Sequence, residues 1–197
     1  MEQQQRPSRV ETQDRILATA DELFRRFGMK KTTVSDIAGR LGVSPATIYR
    51  FFPSKDAIIE AYAERGTGEL QRRLQSVVDS RGPAAKRLEG LVATVIDYNR
   101  GYFNKEGEAF KLYVTSVEQN WDCVRVFTSI FVGMLEKMVT EGILGGEFRS
   151  DDPQATALIL HDCLRGLLHP LALEQATPDD VERRALTMIA FLIKALR

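Results

Sequence analysis

Apolar residues recur at helical spacing along almost the whole chain. Near its start, Ile16, Ala20 and Leu23 are three or four residues apart, and Gly28 follows as a residue typical of helix ends. Apolar stripes with the same spacing cover residues 88–102, 110–121, 124–138, 154–174 and 178–196. The pattern predicts an all-α protein, with short helices near the N-terminus and a bundle of longer helices after them.

The first of two short helices is predicted at residues 34–41. Thr33 is a typical N-cap, and Asp36 stands three residues later, as in a shortened capping box. Gly42 ends this helix, and only Gly42 and Val43 separate it from the next N-cap. The two short helices are therefore expected to meet at a tight turn.

The second short helix is predicted at residues 45–52. Ser44 is its N-cap, Pro45 fits the first helical position, and Pro53 prevents the helix from continuing. A helix, a tight glycine turn and a second helix are the parts of a helix-turn-helix, whose second helix lies in the major groove of DNA.

This second helix has one apolar and one polar side. Val43, Ile48 and Phe52 are placed to hold it against the preceding helices, which leaves Thr47, Tyr49 and Arg50 outside. Hydroxyl groups, arginine and the free N–H groups of a helix start bind phosphates, and Thr or Arg also reads base edges. Each residue alone fits an ordinary cap or a solvated helix face. Their combination at this spacing favours contact with DNA.

Residues 12–62 resemble the DNA-binding domain of the TetR family of bacterial transcriptional regulators. The resemblance rests on the run TTVSDIAGRLGVSPATIYRFFPSKDAIIEAY, with ILATADELFRRFG upstream of it. It extends over about fifty residues without an insertion. It implies a homodimer that binds a palindromic operator and releases it when a small molecule enters the C-terminal domain, most often as a repressor.

By position, the resemblance implies phosphate contacts from Thr33, Tyr49 and Lys55, and a place in the groove for Thr47. The full set of predicted DNA-binding residues is Thr33, Ser35, Ser44, Pro45, Ala46, Thr47, Tyr49, Arg50 and Lys55. One departure is Phe51, which stands where the family often has a phosphate-binding histidine. Arg6 and Arg9 are either a basic arm for an adjacent minor groove or part of an idle solvated tail.

The last two helical segments, 154–174 and 178–196, carry apolar residues on more than one side. A helix of this kind must be covered on more than one side, so we expect these two helices to form a four-helix interface with a second copy. The predicted interface residues are Leu160, Leu164, Leu167, Leu171, Ile189, Ile193 and Leu196.

Polar and aromatic residues within the apolar stripes are candidates for a ligand pocket. Most aromatic or Met residues at such positions are ordinary core, whereas a buried histidine or asparagine needs a partner. The candidates are Asn99, Tyr102, Tyr113, Trp121, Phe127, Phe131, Met134 and His161. This composition indicates a largely apolar or aromatic effector.

The charge distribution agrees with two separate tasks. The chain has 27 Lys and Arg against 27 Asp and Glu, but its first 55 residues hold ten basic and six acidic side chains. A neutral total speaks against an architectural DNA-binding protein, because such proteins are typically strongly basic. We expect a flexible arm at 1–11, the helix-turn-helix domain at 12–60, and a ligand-binding and dimerisation domain at 61–197.

Several other classes are disfavoured. Cys123 and Cys163 are far apart, which argues against a disulfide framework or a zinc site, and no membrane-length apolar run or signal core is present. No P-loop, dinucleotide fingerprint or H-E-x-x-H motif occurs, so we predict a cytoplasmic, non-enzymatic protein without cofactor or metal. A redox or metal sensor, and a regulator without an effector, remain as alternatives.

Overall fold

The computed structural model describes residues 8–103, 107–168 and 177–197, and within these ranges it contains helices and no strand. The helices are α1 (Arg9–Phe27), α2 (Val34–Leu41), α3 (Pro45–Tyr49), α4 (Lys55–Val78), α5 (Ala84–Phe103), α6 (Gly107–Glu118), α7 (Asp122–Leu144), α8 (Pro153–Leu168) and α9 (Pro178–Ala195). The predicted all-α fold is confirmed.

Two helix ends differ from the sequence prediction. Helix α1 already begins at Arg9, because Ser8 and Glu11 form a capping box in which each side chain accepts from the other residue's backbone N–H. Residues 9–11 of the predicted flexible arm are therefore helical. Helix α3 ends at Tyr49, because the N–H groups of the next residues turn back onto the carbonyl of Ile48.

The helices α1 to α3 and the first half of α4 share one apolar core. Its fully buried members include Ile16, Ile37, Ile48 and Ile58, one from each of these four helices. Tyr62 of α4 packs edge-on against Phe24, and its hydroxyl donates to Asp21 over 2.6 Å. This core holds α3 at the surface of the domain.

Helix α4 continues without a break into a second core. Its later residues Leu70, Leu74 and Val78 pack with α5, α7, α8 and α9. The predicted domain boundary between residues 60 and 61 thus falls inside a continuous helix of 24 residues. A displacement of the C-terminal half of α4 is transmitted to its N-terminal half, which begins directly after α3.

The turn after α7 contacts both the start of α5 and the end of α7. Glu147 accepts hydrogen bonds from the backbone N–H groups of Ala84 and Ala85 at the start of α5. Phe148 is 2% exposed and covers Gly142, where a Cβ atom would lie 2.2 Å from the phenyl ring. Only glycine fits at this position without moving the ring.

Candidate functional site

The α2–α3 unit is fixed from beneath by a few buried groups. Thr32 is 2% exposed, and its hydroxyl donates to the carbonyl of Gly28 over 2.9 Å, which anchors the start of α2 to the end of α1. Gly42 has φ +70°, the left-handed conformation that the tight turn between α2 and α3 requires. Ile48 is fully buried and Phe52 is 6% exposed, whereas Val43, which was also predicted to pack here, is 39% exposed in the turn between α2 and α3.

The opposite side of α3 faces outward. Pro45, Ala46 and Arg50 are exposed, and Tyr49 exposes 51% of its surface. Ser44 caps the helix by accepting from the Thr47 N–H, and the hydroxyls of Ser44 and Thr47 lie 3.0 Å apart. The helix start and its hydroxyl groups therefore lie side by side at the surface.

The flanking helix starts carry the remaining predicted residues. The hydroxyl and the backbone N–H of Thr33 donate to the Asp36 carboxylate and hold its pKa below the usual value. Lys55, the first residue of α4, donates from Nζ to the carbonyl of Lys30 over 3.2 Å. Ser35 is exposed in the first turn of α2. None of the nine predicted DNA-binding residues is buried.

Arg9 joins this surface through an unexpected contact. Its guanidinium lies over the ring of Phe51, 5.9 Å from the ring centroid. Phe51 is half-buried and packs against the N-terminal core, so its ring is a fixed support. The basic group of Arg9 is thereby held at the carboxyl end of α3, where sequence reasoning had placed only a loose arm.

A cavity of about 1080 Å³ lies in the C-terminal part. Its walls come from α4, α5, α6, α7 and α8, and a volume of this size accommodates a drug-sized molecule. Apolar side chains such as Leu70, Val95 and Leu164 share the lining with about as many polar ones, but most of the lining surface is apolar. The cavity is therefore suited to a small molecule with a largely apolar body.

Five of the eight predicted ligand-binding residues line this cavity. They are Asn99, Tyr113, Phe127, Phe131 and His161.

The other three predicted ligand-binding residues are not among the described residues that line the cavity. Met134 is 5% exposed and belongs to the packed core, and Trp121 packs against the N-terminal core instead. The side chain of Tyr102 lies outside the described residues. The prediction for Met134 and Trp121 is corrected accordingly, because both are packed against other helices.

Sequence reasoning missed the wall formed by α4 and several polar positions. Gly66 and Thr67 of α4 line the cavity, but the spacing of α4 gave no sign that this helix bounds a pocket. Tyr98 and Ser116 follow the rule that selected Asn99, a polar group on an apolar helix, and that rule identifies them. Arg165 lies one turn after His161 on the same helix.

Polarity is unevenly distributed over the cavity wall. Asn99 is 6% exposed, and its side-chain Nδ2 has no hydrogen-bond partner among the described residues. Burial raises the pKa of Tyr113 to about 12, so its hydroxyl stays neutral at physiological pH. By contrast, the guanidinium-bearing Arg125 and Arg165 are exposed. The two arginines of the lining are thus peripheral, Glu136 of α7 adds a half-buried carboxylate, and Asn99 and Tyr113 are neutral polar groups.

Helix α6 joins the cavity to the N-terminal domain. Leu112 lines the cavity and is 4% exposed, yet it is a member of the N-terminal core together with Ile58 and Tyr62. Helix α6 packs against both α1 and α4. A ligand that moved α6 would therefore press directly on the core that supports α3.

The outer sides of α8 and α9 differ from the predicted interface. Four of the predicted residues, Leu160, Leu164, Ile189 and Ile193, are 5% exposed or less in the single chain, because they form its own core. Such residues have no surface left for a partner, so the prediction is corrected for them.

The other three predicted interface residues are half-buried or not described, and different apolar residues are exposed on these helices. Leu196 is half-buried against the core, and the Leu167 side chain and Leu171 lie outside the described residues. Four large apolar side chains are instead exposed on these two helices. We call them the α8–α9 face: Leu158, Ile159, Leu186 and Phe191.

The described residues contain neither a membrane-spanning helix nor a cluster of metal ligands. Among the described residues, no helix is both long enough and apolar enough to span a membrane. Within the same ranges, no three His, Cys, Asp or Glu side chains are grouped so that they could hold a metal ion.

A helix-turn-helix at the surface, followed by a helical domain with a cavity, is the architecture of a DNA-binding regulator. Comparison with known families agrees. Residues 16–62 match the family model for bacterial regulatory proteins of the tetR family, and residues 84–188 match the tetracyclin repressor-like C-terminal domain. The chain belongs to the TetR family of transcriptional regulators.

Individual relatives are distant but similar over nearly their whole length. The uncharacterised HTH-type transcriptional regulator YhgD of Bacillus subtilis is 21% identical over 187 residues, which are 92% of this chain and 94% of that protein. A TetR-family regulator from Pectobacterium atrosepticum has a similar structure, with TM-score 0.76 at 18% identity, over 98% of this chain and 97% of that one.

A third similar protein was solved with a ligand. It is the regulator FadR from Bacillus subtilis in complex with stearoyl-CoA, with TM-score 0.67 and 19% identity over 93% of this chain and 99% of that one. At this identity the likeness shows the shared fold.

Proposed function

We propose that this protein is a homodimeric repressor that binds a palindromic operator through α3 and leaves it when a small molecule enters the cavity. The observation that carries the proposal is the outward side of α3. There Tyr49, Arg50 and the capped helix start are exposed while Ile48 holds the helix from behind. This is the geometry of a recognition helix.

The DNA contacts divide into two kinds. Thr33 and Lys55 sit at helix starts, where free N–H groups already favour phosphate, and Tyr49 is exposed at the end of α3; all three are assigned to the backbone of the duplex. Thr47 and the first turn of α3 are assigned to base edges in the major groove. Ser35 and Arg50 lie exposed at the margins of this surface and add phosphate contacts.

Dimerisation is assigned to the α8–α9 face. Its four exposed apolar residues lie on two helices that pack against each other, so two copies related by a twofold axis would form a four-helix interface. Exposed apolar side chains on two neighbouring helices are available for burial against a partner. Two recognition helices presented by one dimer explain why the operator is expected to be a palindrome.

Release by a ligand follows from the position of α6. This helix contributes Tyr113 to the cavity wall and Leu112 to the N-terminal core, so a ligand that displaces α6 also shifts α4. Helix α4 begins at Lys55, directly after α3, and its tilt sets the distance between the two recognition helices of the dimer. The ligand needs only to favour one of these two arrangements to change operator affinity.

The cavity supports a largely apolar effector, as the sequence predicted, and a repressor of this kind acts in the cytoplasm, where the DNA lies. A thiol-based sensor receives less support. Burial raises the pKa of the Cys123 thiol, with a further contribution from Glu64, and this lowers the thiolate fraction that oxidants attack.

DNase I footprinting on the DNA upstream of the protein's own gene, at about 0.15 M salt, tests the proposal because protein–DNA affinity is strongly salt-dependent. We expect a protected palindrome, and loss of protection when a ligand that raises the melting temperature is added. Diffuse coating of the DNA would contradict site-specific regulation. Protection that no cavity-binding compound relieves would instead identify a regulator without an effector.

A further inference from the structure

One nearly buried polar group of the cavity wall has no hydrogen-bond partner among the described residues. Asn99 is 6% exposed, and its Nδ2 makes no hydrogen bond within the described residues. Ser116, the other nearly buried polar residue of this wall, is satisfied, since its hydroxyl donates to the Tyr113 carbonyl over 2.8 Å. A buried amide without a partner is unfavourable unless something in the cavity bonds to it.

The surroundings of Asn99 favour an uncharged partner. The neighbouring wall is apolar, with Val95 on the same helix side and Leu70 opposite in the shared core. A carboxylate placed there would lose its hydration without a cation beside it, which is costly. The arginines of the lining, Arg125 and Arg165, are exposed, and Arg125 is already paired with Asp122.

We propose that the effector carries an uncharged carbonyl oxygen that accepts a hydrogen bond from the Asn99 amide. As placed, Nδ2 has almost no accessible surface. A half-turn about the bond between Cβ and Cγ exchanges it with Oδ1, so that the N–H faces the cavity, and a carbonyl oxygen without a partner is less unfavourable than an N–H without one. The rest of the ligand is apolar and lies among the side chains of α5, α7 and α8. The inference rests on the proposed function, since it assigns a chemistry to that effector.

Three probes with one skeleton test the assignment. They are 2-acetylnaphthalene, which has a neutral carbonyl, 2-ethylnaphthalene, which has none, and 2-naphthoate, which is charged. Titration calorimetry on the full chain should show the ketone binding about tenfold more tightly than the hydrocarbon, the effect of one additional hydrogen bond. The carboxylate should bind more weakly than the ketone.

Variants test whether Asn99 is the residue that causes the preference for the ketone. Asn99→Leu should abolish the preference for the ketone, and Asn99→Ala provides the same test if the leucine variant folds poorly. Ser116→Ala is the matched control: it removes a buried polar group from the same wall, but one that is already bonded within the protein. This control should retain the preference for the ketone.

The melting temperature offers a readout without any ligand. Asn99→Leu removes a buried N–H that has no partner among the described residues, so its melting temperature should equal or exceed that of the wild type, whereas Ser116→Ala should lower it by about 2–4 °C. A loss in Asn99→Leu as large as that in the control would overturn the inference.

The binding results separate this inference from the proposed function. Equal binding of ketone and hydrocarbon, tightest binding of the carboxylate, or a ketone preference that survives in both Asn99 variants would overturn the Asn99 assignment alone. If none of the three naphthalenes binds, the cavity does not take an apolar ligand, and the inference fails together with the proposed effector.

Discussion

Phe191 offers the sharpest test of the proposed dimer. It exposes 67% of its surface on α9 and belongs to the α8–α9 face. An aromatic side chain has roughly 150–250 Å² to bury, so about 130 Å² of Phe191 is available to a partner. At about 25 cal/mol per Å², covering it contributes about 3 kcal/mol, and a twofold axis makes this contribution twice.

Replacing Phe191 by alanine should therefore weaken the dimer substantially. Alanine retains part of the contact, and association involves opposing terms that area does not capture, so we expect a loss of about 4 kcal/mol per dimer. This corresponds to a rise of about a thousandfold in the dissociation constant of the dimer. Sedimentation equilibrium over a wide concentration range measures that constant directly.

Phe27→Ala is the matched control for this experiment. Phe27 is a phenylalanine with 50% exposure, but it lies at the end of α1 in the N-terminal domain. The control should leave the dimer constant unchanged. An unchanged constant in Phe191→Ala, or a wild type that is monomeric throughout, would refute the placement of the interface.

Three further predictions concern the DNA surface and the core. Tyr49→Phe removes a phosphate-binding hydroxyl and should lower the affinity for specific and for non-specific DNA by a similar factor of about ten. Thr47→Ala should also reduce the ratio of specific to non-specific affinity. Fluorescence anisotropy with both DNAs measures these affinities. Arg9→Gln should lower the slope of log affinity against log salt by about one, the change expected when one phosphate is no longer neutralised, and an unchanged slope would mean that Arg9 does not reach DNA. Gly142→Ala should lower the melting temperature by about 3–10 °C, because the new Cβ would lie 2.2 Å from the Phe148 ring. Thermal unfolding followed by circular dichroism measures this change, and an unchanged melting temperature would contradict the prediction.

The helix-turn-helix could be predicted closely because its signals are local. Thr33 and Ser44 are caps, Gly42 is the left-handed turn residue, and each acts on residues only a few positions away. Capping and turn residues of this kind can be predicted from a single sequence. Even here the end of α3 was placed three residues late, since the last turn is decided by bonds back to the Ile48 carbonyl.

The interface and the cavity were harder to predict because they depend on which helices become neighbours. Leu164 and Ile189 have the spacing of an interface stripe, and the structure uses that stripe for the chain's own core. Periodicity finds the apolar side of a helix but does not say what covers it. Likewise, Met134 and Phe131 share a helix and similar burial, yet only Phe131 reaches the cavity.

The contact between Arg9 and Phe51 was also beyond sequence reasoning. The two residues are more than forty positions apart, and each has an ordinary local explanation, a tail residue and an aromatic at a helix end. Their meeting depends on how α1 lies against α3. Phe51, which departs from the family pattern, thereby supports a basic side chain.

Selection of binding sites from random double-stranded DNA by the purified protein tests the central claim most directly. If the outward side of α3 reads DNA in a symmetric dimer, the selected sequences should converge on a palindrome whose half-sites are about one or more helical turns apart. Phe191→Ala should then lose this enrichment at low protein concentration. Selected pools that remain random, from a protein that is folded and dimeric, would contradict the assignment of α3 as a recognition helix.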